Sequence, residues 1–435
     1  MTIGLPSTDQ ERQANSIASA SALPLSPSQG TELPLSISKL FIQLKSVMSD
    51  SQTFHLLLKS SPDELQFVVD WLQCLLLHPS MSENMWSQAL KVLIRLSTQS
   101  SLYPKTFDLQ GGEPTGRSLV DEAPSCYADI EHGFIARRAV CLKVLQKSRK
   151  GKPGWKSFIR EIVIQGQLKH NNIHPFFGVQ HLDDGKFCLI SPWAEKGCLV
   201  KYLRTHPDAN RLLLLRDVVS GLEYIHTKSI IHGDLKPTNI LVTLSGRACL
   251  ADFGLGTVAG ILGVELSRYP MLETTGYNGP NSFRFDAPEL LLNETTSTAV
   301  HRTTASDMYS AGCMFYEVLT EKPPLYEAET PSSLIVQVHG GARPTKPTGA
   351  DLSRCISKGM TEAVWVNMEA CWDRDVEKRP TATEMLSLPF FTTLEDRRPP
   401  DPPINPPKRL EVDCSDGSAC QQRVKILLDS VLATW

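Results

Sequence analysis

No Cys-x-x-Cys spacing occurs among the eleven cysteines, and eleven is an odd number. That pattern argues against a disulfide framework and against a zinc site, and a reducing compartment is expected. An excess of charge of one sign is also missing: 44 Lys and Arg against 47 Asp and Glu leave a formal net charge of −3. Neither nucleic acid nor an anionic membrane is therefore expected as a partner. Long hydrophobic runs are absent. The greasiest stretches, around Phe67–Leu77 and Leu212–Leu215, are interrupted or flanked by charge and too short to span a bilayer. Residues 1–35 lack a basic segment followed by an apolar core, so no signal peptide is expected. Internal repeats are missing too. What remains is ordinary globular composition, 41% hydrophobic and 21% charged over 435 residues. One large soluble, cytoplasmic domain with extensions is the expectation.

Residues 1–35 are rich in Ser, Pro, Gln and Thr, and a disordered tail is expected there. Residues 36–100 then carry helical signals. Leu40, Leu44, Val47 and Met48 fall at helical spacing. Ser61-Pro62-Asp63-Glu64 reads as a capping box with proline at the first helical position, ahead of Leu65, Val68, Val69, Leu72 and Leu76. Ser80 and Glu83 form a second such pattern ahead of Met85, Ala89, Val92, Leu93 and Leu96. About three amphipathic helices are predicted, packed on the rest of the chain; a separate module that docks a protein partner is the sharper alternative. From about residue 118 short β-type runs appear (Ala139–Val144, Phe187–Ile190, Ile240–Val242, Cys249–Ala251), followed by longer helical patterns at Leu212–His226 and Asp307–Leu319. Residues 395–420 are proline-rich and read as an extended linker. Val424, Leu427, Leu428, Val431 and Trp435 form a last amphipathic stripe, predicting a short helix over 421–435.

The stretch His232-Gly233-Asp234-Leu235-Lys236-Pro237-Thr238-Asn239, with Asp252-Phe253-Gly254 shortly after, puts two acids, a lysine and an amide close together. Phosphoryl transfer needs such groups: an Asp for the hydroxyl proton, and an Asn and a second Asp for Mg²⁺. The ordered pair of motifs resembles the catalytic core of eukaryotic-type protein kinases. The likeness covers roughly residues 118–394 and implies an α+β, bilobal kinase fold: a small β-rich N-lobe and a large helical C-lobe, here with an N-terminal helical extension. The Cys371-Trp372 pair and the Ser/Thr-type features look most like the tyrosine-kinase-like group of Ser/Thr kinases. The His-Gly-Asp-Leu-Lys form is similar to that of large kinase families in mushroom-forming fungi.

Carried over residue by residue, the resemblance implies Asp234 as catalytic base and Lys236 as the group that steadies the transferring phosphoryl. Asn239 and Asp252 would hold Mg²⁺ through hard oxygen ligands. Ala139-Val140-Cys141-Leu142-Lys143 is similar to the strand whose lysine neutralises the nucleotide phosphates, and Glu161 to its ion-pair partner. Phe187–Gly197 looks like strand, gatekeeper and hinge. Ser191 stands at the gatekeeper position, and Ala194 is the better hinge donor because Pro192 has no N–H. Ser282–Glu289 resembles the end of an activation segment, with Thr274, Thr275 and Tyr277 as candidate phosphosites. Asp307 matches the buried aspartate that braces the catalytic loop, and Glu289 and Arg379 a structural ion pair. ATP and Mg²⁺ are the implied cofactors, and a protein with a Ser/Thr acceptor is the implied substrate.

Two departures matter. The family's glycine-rich loop has its best counterpart in Ala123–Ile130, where Tyr127 and Ile130 fit but no glycine stands. Those glycines let backbone N–H groups approach phosphates without Cβ clashes. The usual Arg of His-Arg-Asp, which pairs with an activation-loop phosphate, is Gly233. Three readings follow: an active Ser/Thr protein kinase, a pseudokinase scaffold that keeps the fold, and a small-molecule kinase of the aminoglycoside type. The last lacks the Asp-Phe-Gly and Ala-Pro-Glu forms found here.

Overall fold

The structure is a computed structural model that describes residues 33–120, 128–145, 153–183, 185–259, 282–291, 301–411 and 417–434. Four helices come first: α1 (Leu35–Ser49), α2 (Ser51–Leu58), α3 (Pro62–Leu76) and α4 (Glu83–Ser100). The sequence suggested about three. The break is made by Asp50, whose carboxylate accepts from the N–H groups of Gln52 and Thr53 and so starts a new helix directly after α1. Ser61 and Glu64 do form the reciprocal capping box of α3. The second expected box does not form. Ser82, not Ser80, caps α4 by accepting from the Met85 N–H, and the Ser80 N–H is used in a turn by the His78 ring. With Met85 three residues on, Ser82 has no carboxylate to answer it.

The small lobe is a five-stranded antiparallel sheet in the order β1 (Thr115–Leu119), β2 (Ala128–Ile135), β3 (Arg138–Leu145), β5 (Phe187–Pro192), β4 (Gly178–His181). Its first strand begins upstream of residue 118. Ala136 and Arg137 turn β2 into β3 with φ of 48° and 65°, the double left-handed geometry that matches the twist of a two-residue hairpin. One face of β3 and β5 (Val140, Leu142, Val144, Cys188, Ile190) packs with Phe177 and Leu182 in a small core of its own. The other face, with Leu145 and Leu189, turns to α5 (Pro153–Gln165). Strand alternation therefore puts Cys141 and Lys143 on the α5 and cleft side.

The large lobe is helical: α6 (Leu199–Thr205), α7 (Arg211–Thr227), α8 (Pro288–Leu291), α9 (Thr304–Thr320), α10 (Pro331–His339), α11 (Gly349–Ser357), α12 (Glu362–Cys371), α13 (Ala382–Leu386) and α14 (Pro389–Thr392). Two short ribbons lie beside the cleft, β6 (Ile230–Ile231) with β9 (Thr257–Val258) and β7 (Ile240–Val242) with β8 (Ala248–Leu250). Among the described residues one continuous apolar core runs from α1–α4 through α5 into the large lobe. Helix α4 packs along α5. Phe107, between α4 and β1, lies so close to the end of α5 that a Cβ on Gly166 would sit 2.3 Å from its ring.

The proline-rich stretch is tied down between Arg398 and Arg409. Arg398 makes a two-pronged ion pair with buried Asp217, Asp401 accepts from Ser245, and Arg409 donates to the carbonyls of Phe176 and Phe177. A strap thus climbs from the large lobe past the sheet. It delivers α15 (Gly417–Ala433), longer at its start than expected, onto α1, α2 and α3. Val424, Leu427, Leu428 and Val431 are buried there; Trp435 lies outside the described residues, as do residues 1–32. Cys74 on α3 is disulfide-bonded, whereas Cys141, Cys188, Cys198, Cys249, Cys313, Cys355 and Cys371 are free thiols. Among the described residues no helix is long and apolar enough to cross a membrane.

Candidate active site

The cleft between sheet and large lobe collects the residues singled out in the sequence. Lys143, on β3, reaches Glu161 on α5 at 2.7 Å and Asp252 after β8 at 3.1 Å. Burial works against the lysine's charge, but the two carboxylates outweigh it and raise its pKa above the ordinary value. Burial pushes the Glu161 carboxyl up to about 7 against the pull of Lys143. Asp252 faces the same opposing burial, but its side chain is 44% exposed, and Lys143, Lys236 and the Gly254 N–H bring it down to about 2. Its backbone sits at φ 62°, a region that costs a non-glycine residue about 1–3 kcal/mol and persists where the surroundings fix it.

The catalytic-loop groups are equally close. Lys236 Nζ lies 2.8 Å from Asp234 Oδ2, and Asn239 Nδ2 donates to that oxygen at 2.9 Å and to the Asp234 carbonyl at 2.8 Å. The Asn239 amide nitrogen is thus committed, which leaves its oxygen as the group a hard cation would take. With Asp252 this makes two oxygen donors. Among the described residues no three His, Cys, Asp or Glu side chains gather into a metal site. The donor set fits Mg²⁺, which is commonly held by one or two protein oxygens plus substrate phosphates.

Below the loop, buried Asp307 on α9 accepts from the N–H of His232 at 2.8 Å, from that of Gly233 at 2.9 Å and from His226 Nε2 at 2.9 Å. Burial alone would raise its pKa; the His226 and backbone hydrogen bonds hold it below the ordinary value. His232 donates from Nε2 to the Ala251 carbonyl, so its Nδ1 accepts from the Asp234 N–H at 3.3 Å. Arg302, just before α9, donates from Nε to the Gly233 carbonyl at 2.8 Å. Glu289 and Arg379 form a two-pronged pair at 2.7 and 2.8 Å.

In the hinge, Ser191 is buried opposite Cys141 in the β3–β5 ladder. The Ala194 carbonyl accepts from the Gly197 N–H. Ile130 lies on β2 directly opposite Lys143. The Ala123–Tyr127 part of the candidate phosphate loop and Thr274, Thr275 and Tyr277 lie outside the described residues, and so does the Ser282 side chain. Sequence reasoning passed over Ser157 and Arg160, which both donate from α5 to the Gly254 carbonyl and so tie that helix to the Asp-Phe-Gly turn. It also passed over His226 and Arg302, whose partners are far away in the chain.

A family model of the protein kinase domain matches residues 134–391, more than half of the chain. The chain belongs to the protein kinase family. It is similar to the serine/threonine-protein kinase STY46 of Arabidopsis thaliana, 29% identical over 273 residues, which is 61% of this chain and 42% of that one. A probable cell division protein kinase of Encephalitozoon cuniculi is 28% identical over 255 residues, 58% of this chain and 87% of the relative. The human receptor-interacting serine/threonine-protein kinase 1 is 26% identical over 324 residues, 70% and 46% of the two chains. The chain thus spans less than half the length of the plant and human kinases it matches.

Proposed function

We propose that this protein transfers the γ-phosphate of ATP to Ser or Thr hydroxyls of protein substrates. The observation that carries the reading is Lys143 held between Glu161 and Asp252 beside the Asp234–Lys236–Asn239 cluster. Mg-ATP, when bound, supplies the transferable phosphoryl group and the cation that neutralises its charge. Lys143 fixes the phosphates, kept in place by Glu161. Asn239 and Asp252 would hold the metal through their oxygens. Asp234 orients the acceptor hydroxyl and takes its proton, while Lys236 adds a positive charge beside the transferring group. Ser191 leaves space behind the adenine, and the Ala194 N–H is the hinge donor. Ile130, opposite Lys143, lines the nucleotide side of β2, Asp307 braces the catalytic loop, and Glu289–Arg379 fixes the end of the activation segment.

The extension belongs to this reading as a brace on α5; support comes from α4 along α5 and from the mutual hydrogen bonds of Gln73 and Gln167. A protein partner of the extension would meet its outer surface, where Ile42 and Leu77 are exposed. A cytoplasmic setting is supported by the free thiols, and the Cys74 disulfide speaks against it. A pseudokinase reading has in its favour the glycine-free segment Ala123–Ile130. The deciding experiment supplies γ-labelled Mg-ATP and a generic basic protein to the chain and to Lys143→Met, then identifies the labelled residues. Phosphoserine or phosphothreonine that vanishes in the variant supports the proposal. No label above the variant, or label on tyrosine alone, contradicts it.

A further inference from the structure

Position 233 is where this chain departs from the family inside its catalytic loop, and the structure places another side chain against it. Gly233 has φ +76°, and a Cβ added there would stand 2.6 Å from Arg302 Cδ and 2.7 Å from the Leu255 carbonyl oxygen. The site therefore has no room for a side chain of its own. Its peptide groups are held instead by the segment that opens α9. The Gly233 N–H goes to Asp307 Oδ1 at 2.9 Å, and the Gly233 carbonyl accepts from Arg302 Nε at 2.8 Å. That carbonyl belongs to the peptide plane leading into Asp234. Arg302 is 8% exposed and stands immediately before Thr303, the residue whose side chain caps α9. The arginine is thus anchored to a buried helix rather than to a surface loop.

We propose that Arg302 is a positioning residue for phosphotransfer, gripping the Gly233–Asp234 peptide from the start of α9 and so setting the direction of the Asp234 carboxylate. This rests on the kinase reading above. A charge-assisted hydrogen bond to a carbonyl is directional and restricts rotation of the peptide plane it meets. Rotation of that plane would swing Asp234 away from Lys236 and Asn239, whose bonds to its carboxylate are 2.8 and 2.9 Å. Arg302 also acts on Asp286, before α8: burial pushes that carboxyl up to about 6, and the arginine's charge pulls the other way.

The test compares the full chain with Arg302→Ala and Arg302→Lys in steady-state phosphotransfer, and follows amide hydrogen exchange across residues 230–236. Misplacement of a reacting group by about 1 Å costs on the order of 10²-fold, so kcat of Arg302→Ala should fall by about that factor with the KM for ATP unchanged. Added guanidinium ion should restore part of the rate, and exchange in 230–236 should quicken while α1–α4 keep their protection. A fall in kcat that comes with a raised KM, a general loss of protection and no rescue would make Arg302 merely structural and overturn the proposal. Unchanged kcat would overturn it as well. If Arg302→Ala does not fold, Arg302→Lys, which keeps the charge but moves the donor, is read in its place. If the unaltered chain transfers no phosphate, the kinase reading fails, and exchange alone decides the grip: slower or equal exchange in the variant refutes it, faster exchange upholds it.

Discussion

Two regions hold the two halves of the site, and they do so by different physics. On the small-lobe side, α5 is covered by α4 and by the Phe107 segment, largely through apolar contact within a shared core. On the large-lobe side, α9 and its leading segment act through directed polar bonds: Asp307 and Arg302 on the catalytic loop, Ser310 on the Phe285 carbonyl at 2.7 Å, and the Ala305 carbonyl on Arg379, which comes from the segment before α13 and pairs with Glu289. Apolar burial is strong but non-directional, which suits the placing of a whole helix. Hydrogen bonds to charged groups are angular, which suits the aim of single peptide planes and carboxylates. The helix that carries Glu161 needs the first kind of support, and the loop that carries Asp234 needs the second.

This contrast can be broken at several points. The largest expected effect is on the polar side. Glu289→Ala leaves the fully buried Arg379 guanidinium without its carboxylate, and loss of one partner of a buried pair costs about 3–5 kcal/mol. Chemical denaturation should register that loss together with reduced activity of the folded fraction. Next comes Leu93→Ala on α4. Leu93 is 0% exposed, and truncation of a buried leucine costs about 2–5 kcal/mol. Here the specific activity of the protein that remains folded should be nearly unchanged; a selective loss of kcat would show that α4 aims the site as well as covering it. Gly166→Ala is smaller, about 1–3 kcal/mol from overpacking against the Phe107 ring, measured by the same denaturation. An unaltered midpoint would mean that Phe107 moves aside freely.

The smallest effect is a pH dependence. Glu161 pairs with Lys143 as a carboxylate, and burial raises its pKa to about 7. As pH falls through that value the group takes up a proton and the pair weakens, so kcat/KM for ATP should fall on the acid side. Glu161→Gln cannot titrate and should lack that limb while running at a lower plateau. If the variant keeps the same acid limb, another group sets it.

What could be read in the sequence was what is local. Asp234, Lys236, Asn239 and Asp252 lie within one short stretch, and β3 and α5 carry their functional residues on recognisable periodic patterns. The resemblance that these residues carry implied the bilobal fold and the kinase family. Two helix boundaries were missed because a capping side chain competes only with its immediate neighbours: Asp50 opens a further helix directly after the one marked by Leu40, Leu44, Val47 and Met48, and Ser82 takes the place expected of Ser80. The strap was read as a spacer because proline content says nothing of where arginines land. Arg398 and Arg409 find Asp217 and the Phe176 and Phe177 carbonyls only once the lobes are formed. Arg302 was invisible for the same reason. Its partner is a glycine carbonyl in a distant loop, and a carbonyl has no side-chain identity to read.

The central claim is that the fold itself, with α5 covered by the extension and the catalytic loop held by α9, assembles the phosphotransfer site before any activation-segment phosphate is added. The most direct measurement is the rate of labelled phosphate transfer to a protein substrate by the phosphatase-treated chain, beside untreated chain and Asp234→Asn. The account predicts equal rates for the treated and untreated protein and loss of transfer in Asp234→Asn by a factor on the order of 10²–10⁴. Transfer that disappears after phosphatase treatment, or that persists in Asp234→Asn, would contradict it.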